Sequence, residues 1–538
     1  MQHARRVDTL VVALAWTFCA DAAPVSESHQ VERLVAGSPF HGVHGLAFDR
    51  NDVLHAGSVM GQSVYRVDTA TGAVETVVGP PAGMADDLVF LADGTMVWTA
   101  ILQGAVYARS GDGPVRKIAD IPSINSINVR RSDGRLFVGQ VFGGDGVWEI
   151  DPAGIKPPRS IVKDPGGFNG FDIGPDGMLY GPLWFKKQIV RIDPDSGAMS
   201  VVADGFQTPA AANFDSKWNL YVVDTAAGEL IRVDIERGTR TLVAKLETSL
   251  DNLAIDSRDR IFVSNMADNG IQEVDAVTGK VRQVVKGELA IPLSIAAHGT
   301  TIYVADVFAF RSVDGRSGAV DDIARAHAAG TPIEYPVAVS ASEHHVVLVN
   351  SEGLVQKYPH GSNRPAASMH LRGARLAYEL PGGDGLVLTA DNRLVRLASG
   401  DGNDKGRVID GNVPASGGFA LSRARRNTAY ALDAVRGEIL QLDLLDGQRR
   451  VIAKGLTDPR SLAVGANDAL FTVELSTRRL IQIDSPSGTS RVIASDLPVG
   501  GADNPTAAVG IAVDDGDAVY VSSDVENSLW RFTPKRVH

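Results

Sequence analysis

One cysteine, Cys19, occurs in 538 residues, and it lies close to the N-terminus. A disulfide framework is therefore excluded for the body of the chain, as is any Cys-based zinc or redox centre. No Lys/Arg run exceeds a few residues, and acidic residues outnumber basic ones, 64 to 52, for a formal net charge of -12. Nucleic-acid binding needs a clustered basic surface, so that class of partner is excluded. A Gly-x-Ser-x-Gly elbow is absent, and the glycine-rich runs are strand turns rather than strand-to-helix phosphate loops. Neither a serine nucleophile nor a nucleotide cofactor is supported.

Long apolar runs are also missing beyond the N-terminus. There, MQHARRVDT supplies a basic leader, LVVALAWTF a short apolar stretch, and Ala20-Asp21-Ala22 a small-x-small cleavage pattern. The stretch is too short to span a bilayer and fits a secretory signal over residues 1–22. The expectation is a periplasmic or secreted protein with no membrane span. Cys19 as a lipid-anchor site is the lesser alternative, because Trp16, Thr17 and Phe18 before it are bulky.

What the chain has in abundance is repetition. FLADGTMVWTA from Phe90, IGPDGMLYGPL from Ile173, IDSRDRIFVSN from Ile255 and VDDGDAVYVSS from Val513 are versions of one strand-turn-strand phrase. Each continues into a third strand and turn, such as IVRIDPDSG, and a fourth strand, such as MSVVAD. The period of roughly forty residues is that of four-stranded propeller blades. First strands start near His44, Asp86, Asn125, Asn169, Ala210, Asp251, Pro292, Pro336, Ala374, Gly417, Arg460 and Val509.

The expected fold is all-β: two packed β-propellers of about six four-stranded blades each, with seven plus five as the alternative. The first propeller is expected over 31–288 and the second over 289–538. The boundary falls within Val285 to Gly330, where RSGAVDDIARAHAAGTP breaks the pattern and has room for a short helical insertion. The last repeat ends after its third strand, so VERLVAG at 31–37 is expected to complete it and remove an open edge.

The start of an innermost strand lines a propeller's mouth. In the first half those starts read His44-Gly45, Asp86-Asp87, Asn125-Ser126, Asn169-Gly170, Ala210-Ala211 and Asp251-Asn252; in the second half they read Pro292-Leu293, Pro336-Val337, Ala374-Arg375, Gly417-Gly418, Arg460-Ser461 and Val509-Gly510, with no side-chain carboxylate or amide among them. Carboxylate and amide oxygens gathered without cysteine suit a hard cation, above all calcium. Asn125, Asn169, Asp251 and Asn252 are the first candidate ligands, with Asp87 and Asp86 next. The alternative is that these residues cap loops through side-chain to backbone hydrogen bonds. His44 is the candidate base, with Asp86 as its partner or substitute, since imidazole exchanges a proton near neutral pH. His41, Trp184 and Phe185 are candidate substrate contacts, and His55 is expected to be structural.

The stretches NSINVRRSDGRLFVGQ from Asn125, NGFDIGPDGMLYGPLWFKKQIVRIDPDSG from Asn169 and SLDNLAIDSRDRIFVSN from Ser249 resemble blades of the gluconolactonase, senescence-marker-protein and paraoxonase superfamily of calcium-dependent six-bladed propellers. The resemblance covers about Val31 to Gln283 and implies metal-binding roles for Asn125, Asn169, Asp251 and Asn252. It departs at His44-Gly45 and at Ala210, where family members carry acids.

Three functions follow as expectations. The first is a metal-dependent hydrolase of a lactone or related ester, in which the cation polarises the carbonyl and a His/Asp base acts on a small-molecule substrate. Another is a lyase opening a cyclic ester by elimination, the chemistry of the propeller-like streptogramin lyases. The third is a non-catalytic scaffold binding a ligand or protein.

Overall fold

The computed structural model describes residues 23–329, 333–399, 406–500 and 508–535. The signal segment expected over 1–22 lies outside the described residues. The described chain is all-β, with two single-turn 3-10 segments, Ile101–Gln103 and Ala466–Asp468. It forms twelve four-stranded antiparallel sheets, consistent with propeller blades. They span residues 46–78, 88–120, 124–163, 172–203, 209–245, 250–285, 292–325, 336–370, 374–410, 418–453, 459–494 and 511–534. The twelfth has only three strands of its own, and His29–Val35 pairs antiparallel with Leu529–Pro534 as its fourth.

Within a sheet the second strand is the most buried and the fourth the least. The second strand is buried at every position in Leu54–Ser58, Met96–Ala100, Leu179–Leu183, Leu220–Asp224 and Ile261–Asn265. Such a strand is covered on both faces, so it reads as a continuous apolar run. Fourth strands such as Met199–Ala203 lie at the rim, largely exposed. Between the third and fourth strands a recurrent turn is closed by its first aspartate. Asp68 accepts from the backbone N–H of Ala70 and Thr71 through one carboxylate oxygen. Its carbonyl accepts from Gly72, which has φ of 75° and whose missing Cβ leaves room for the Val284 carbonyl.

Apolar clusters bridge each sheet to the next. Phe40, Leu46 and Leu54 pack with Ala254, Phe262 and Val284, linking the first sheet to the sixth. Ile295, Ile302 and Val304 pack with Ala512, Tyr520 and Leu529, linking the seventh to the twelfth. Polar contacts cross the seam between the halves. Buried Asn269 donates to Ser38, Phe40 and Leu289, and accepts from Gly42 and Val43.

The described part of RSGAVDDIARAHAAGTP, residues 316–329, is not helical. Val320–Arg325 is the fourth strand of the seventh sheet, paired with Ala309–Asp314. Its alanines favour a helix locally, but pairing to a preformed edge overrides that preference. Residues 330–332 of the same stretch lie outside the described residues.

Candidate functional site

Each axial pair sits where an innermost strand begins, and hydrogen bonding places the pairs at one level. The N–H groups of His44, Asp86 and Asn169 donate to Gly57, Thr99 and Pro182 carbonyls of the neighbouring second strands. The strand register shifts between Ile124 and Ile127, around Asn125-Ser126, and between Leu250 and Leu253, around Asp251-Asn252. A bulge of this kind re-aims side chains near a site. Hydroxyls of second strands then fix the pairs from an adjacent sheet: Thr99 donates to the Asn125 carbonyl and Ser264 to the His44 carbonyl at 2.6 Å.

The two members of a pair have different surroundings. Among the first members, His44 Nδ1 lies 3.3 Å from an Asp251 oxygen and 3.7 Å from an Asp86 oxygen, so the imidazole stands between two carboxylates. His44 Nε2 is buried with no hydrogen-bond partner among the described residues. Burial alone would favour the neutral ring, but the contact and charge of Asp251, with the charge of Asp86, outweigh it and raise the imidazole above its ordinary pKa. Burial, reinforced by the Asp251 and Asp87 charges and opposed by His44, pushes Asp86 up to about 8. Asn125 and Asn169 are each 7% exposed, and neither side chain has a hydrogen bond among the described residues.

Among the second members, Asp87 is held by the N–H groups of Leu88 and Ile127 and by Asn252 Nδ2 at 3.2 Å. Burial lifts its carboxyl to about 7 against those bonds. The Asn252 oxygen accepts from Leu253 N–H. Asp87 and Asn252 thus brace one another below the mouth, with their oxygens already engaged. Gly45 lies against them, and a Cβ there would come within 2.5 Å of the Asp86 carbonyl and 2.6 Å of Asp87 Cα. Gly45→Ala is therefore expected to cost about 1–3 kcal/mol by overpacking, read as a lower urea midpoint. An unchanged midpoint would show that this brace yields freely.

The other sequence candidates separate. Trp184 and Phe185 lie at the mouth with Phe142, whose ring centroid is 5.6 Å from Trp184 and 6.1 Å from Phe185. His41 reaches the seam instead, where Nε2 is 3.2 Å from the Asp524 carbonyl. His55 bonds the Val53 carbonyl and packs on Phe90. Sequence reasoning missed Phe308, His327 and Tyr335, which come from the second half. Phe308 meets the His44 ring at 5.5 Å, and Tyr335 lies 5.9 Å from both Phe308 and His327. Beside this group opens a cavity of about 570 Å³ lined by His327, Lys187, Phe206, Ala226, Ile333 and Glu334; His44 and the axial carboxylates do not line it.

For a cation, the fitting donor types are the amides of Asn125 and Asn169, whose side chains have no hydrogen bond among the described residues, together with Asp251. Asp87 and Asn252 are engaged elsewhere. Among the described residues no group of three or more His, Cys, Asp or Glu is placed to hold a metal ion.

The sheets and their axial pairs define an all-β assembly of propeller-type blades. Within it, residues 87–307 match the family model described as SMP-30/Gluconolactonase/LRE-like region. The match starts at the second sheet and runs into the seventh. No curated protein matches the chain. Similar solved structures include a virginiamycin B lyase from Staphylococcus aureus, 14% identical, covering 52% of this chain and 96% of its own, with a TM-score of 0.38. A gluconolactonase from Xanthomonas campestris is 14% identical, covering 49% of this chain and 96% of its own, with a TM-score of 0.38. A GH74 xyloglucanase from the same organism is 14% identical, covering 94% of this chain and all of its own, with a TM-score of 0.49.

Proposed function

We propose that the chain is a periplasmic or secreted propeller enzyme that opens a lactone or related ester, built as two rings of six blades with its active site on the axis of the first. The observation that carries the reading is the His44 imidazole standing between Asp86 and Asp251 at the axial mouth, in a chain whose residues 87–307 match the gluconolactonase-type family model. The two carboxylates orient the ring through Nδ1, which leaves Nε2 as the atom that takes a proton from water or from carbon. Asn125, Asn169 and Asp251 would hold calcium, which when bound supplies polarisation of the ester carbonyl.

Hydrolysis and elimination need the same base, and products separate them: hydrolysis carries solvent oxygen into the acid, whereas elimination leaves an alkene without it. The test is a panel of lactones and esters assayed before and after chelation. Turnover is expected to fall by about a hundredfold or more on calcium removal and in Asn169→Ala. Turnover untouched by both would remove the metal from the reading. No turnover of any panel member, with no calcium bound to purified protein, would favour a binding scaffold.

A further inference from the structure

An unbroken series of ring contacts starts at His44 and leads outward. His44 meets Phe308, Phe308 meets Tyr335, Tyr335 meets His327, His327 meets Trp184, Trp184 meets Phe142, and Phe142 meets Phe185. All six contacts are edge-to-face, with interplanar angles from 71° to 89°. Phe308, Tyr335 and His327 belong to the second half of the chain, the other four rings to the first. The arc therefore exists only where the halves meet.

Three of its seven residues sit at left-handed positions of the kind that recur at turns through the chain. Phe142, His327 and Tyr335 hold left-handed φ values of 69°, 58° and 49°. Non-glycine residues in that region cost of order 1–3 kcal/mol each and persist where surrounding structure demands them, often at binding sites. His327 is fixed from both halves: the adjacent Ala326 N–H donates to the Phe308 carbonyl, and the Ala326 carbonyl accepts from Ser249. Tyr335 Oη and His327 Nε2 stand 3.5 Å apart, a polar point on an otherwise apolar wall.

Two rings at the outer end, Phe142 and Phe185, are 52% and 56% exposed, whereas Phe308 at the inner end is buried. A pair of exposed rings is too small for a protein partner, which needs about 800 Å² on each side. It matches the face of one planar group.

Resting on the ester-opening reading above, we propose that Phe308, His327 and Tyr335 make the second half part of the substrate site, and that this site selects an ester or lactone carrying a planar apolar ring. Tyr335 and His327 are the specificity-determining residues: their rings form the wall between the exposed platform and the base.

The test compares a phenyl-substituted with a methyl-substituted lactone of the same ring size, as the ratio of kcat/KM. The wild-type protein is expected to prefer the phenyl compound. Tyr335→Ala and His327→Ala should each reduce the preference about 2- to 10-fold, mainly through KM, at an unchanged melting temperature. Tyr335→Phe keeps the ring and should restore the preference. A preference equal to wild type in both alanine variants would overturn the inference while leaving the ester-opening reading standing. If wild-type protein turns over neither lactone, the ester-opening reading fails, and the arc is tested by quenching of tryptophan fluorescence with the phenyl lactone. Quenching weakened in Tyr335→Ala and absent in Trp184→Phe supports the subsite; no quenching in the wild type overturns it.

Discussion

His44→Gln is expected to lower turnover of a lactone substrate by about two to four orders of magnitude, the usual worth of a positioned acid-base group. Glutamine approximates the reach of imidazole and can still bond a carboxylate, so folding should survive. It offers no proton-accepting nitrogen in place of Nε2. Asp251→Asn and Asp86→Asn probe the same arrangement from the other side. Each removes a negative charge that raises the imidazole pKa, so the His44 resonances should titrate at lower pH in both variants. Asp251→Asn should have the larger effect, since Asp251 makes the closer contact, 3.3 Å against 3.7 Å. Turnover within threefold of wild type in His44→Gln would dismiss this imidazole as the base.

The repeat was legible because a four-stranded blade leaves the same trace each time it recurs: an apolar second strand and an Asp-to-Gly turn such as Asp68–Gly72. The positions of the axial pairs were legible for the same reason. Their roles were not. Asp86 and Asp87 are adjacent and chemically identical, yet one faces His44 and the other is fixed by Leu88, Ile127 and Asn252. A bulge or strand entrance decides which side each residue takes, and one sequence does not encode that choice locally. Asn252 looked like a ligand beside Asp251 for the same reason.

Phe308, His327 and Tyr335 were invisible on other grounds. They lie beyond the repeats that supply the axial residues and reach the mouth only through packing between the halves. The signal present was the lapse of the repeat around RAHAAGTPIEYP, read as a helical insertion when the chain instead completes a strand and then delivers His327 and Tyr335. His41 shows the converse error. Proximity to His44 in sequence suggested a shared site, but its ring nitrogen engages the Asp524 carbonyl at the seam.

That seam contains the second large expected effect. Arg311, whose side chain is 5% exposed, donates to Asp306, whose side chain is 0% exposed, at 3.0 Å. It also bonds Asp322 and the Ala267 carbonyl of the sixth sheet, so one guanidinium ties the seventh sheet to the sixth. The Asp306 carboxylate further accepts from Ala290 and Ile291 N–H groups in the connection between them. Arg311→Leu leaves this buried carboxylate without its cation and is expected to cost about 3–5 kcal/mol, read by urea unfolding. Asp306→Asn added to Arg311→Leu should recover part of the loss, because the remaining group is neutral and keeps its backbone partners.

The pH dependence has a definite sign. Burial already raises Asp306 above the ordinary carboxylate range, with Arg311 and the backbone bonds opposing it. Without Arg311 the carboxyl rises further, and the folded state binds a proton that the unfolded state releases. Stability of Arg311→Leu relative to wild type should therefore improve as pH falls from about 8 to about 5. The double variant has no carboxylate at position 306, so it should lose this trend. A flat difference between Arg311→Leu and wild type across that range would show that Asp306 finds another cation or water.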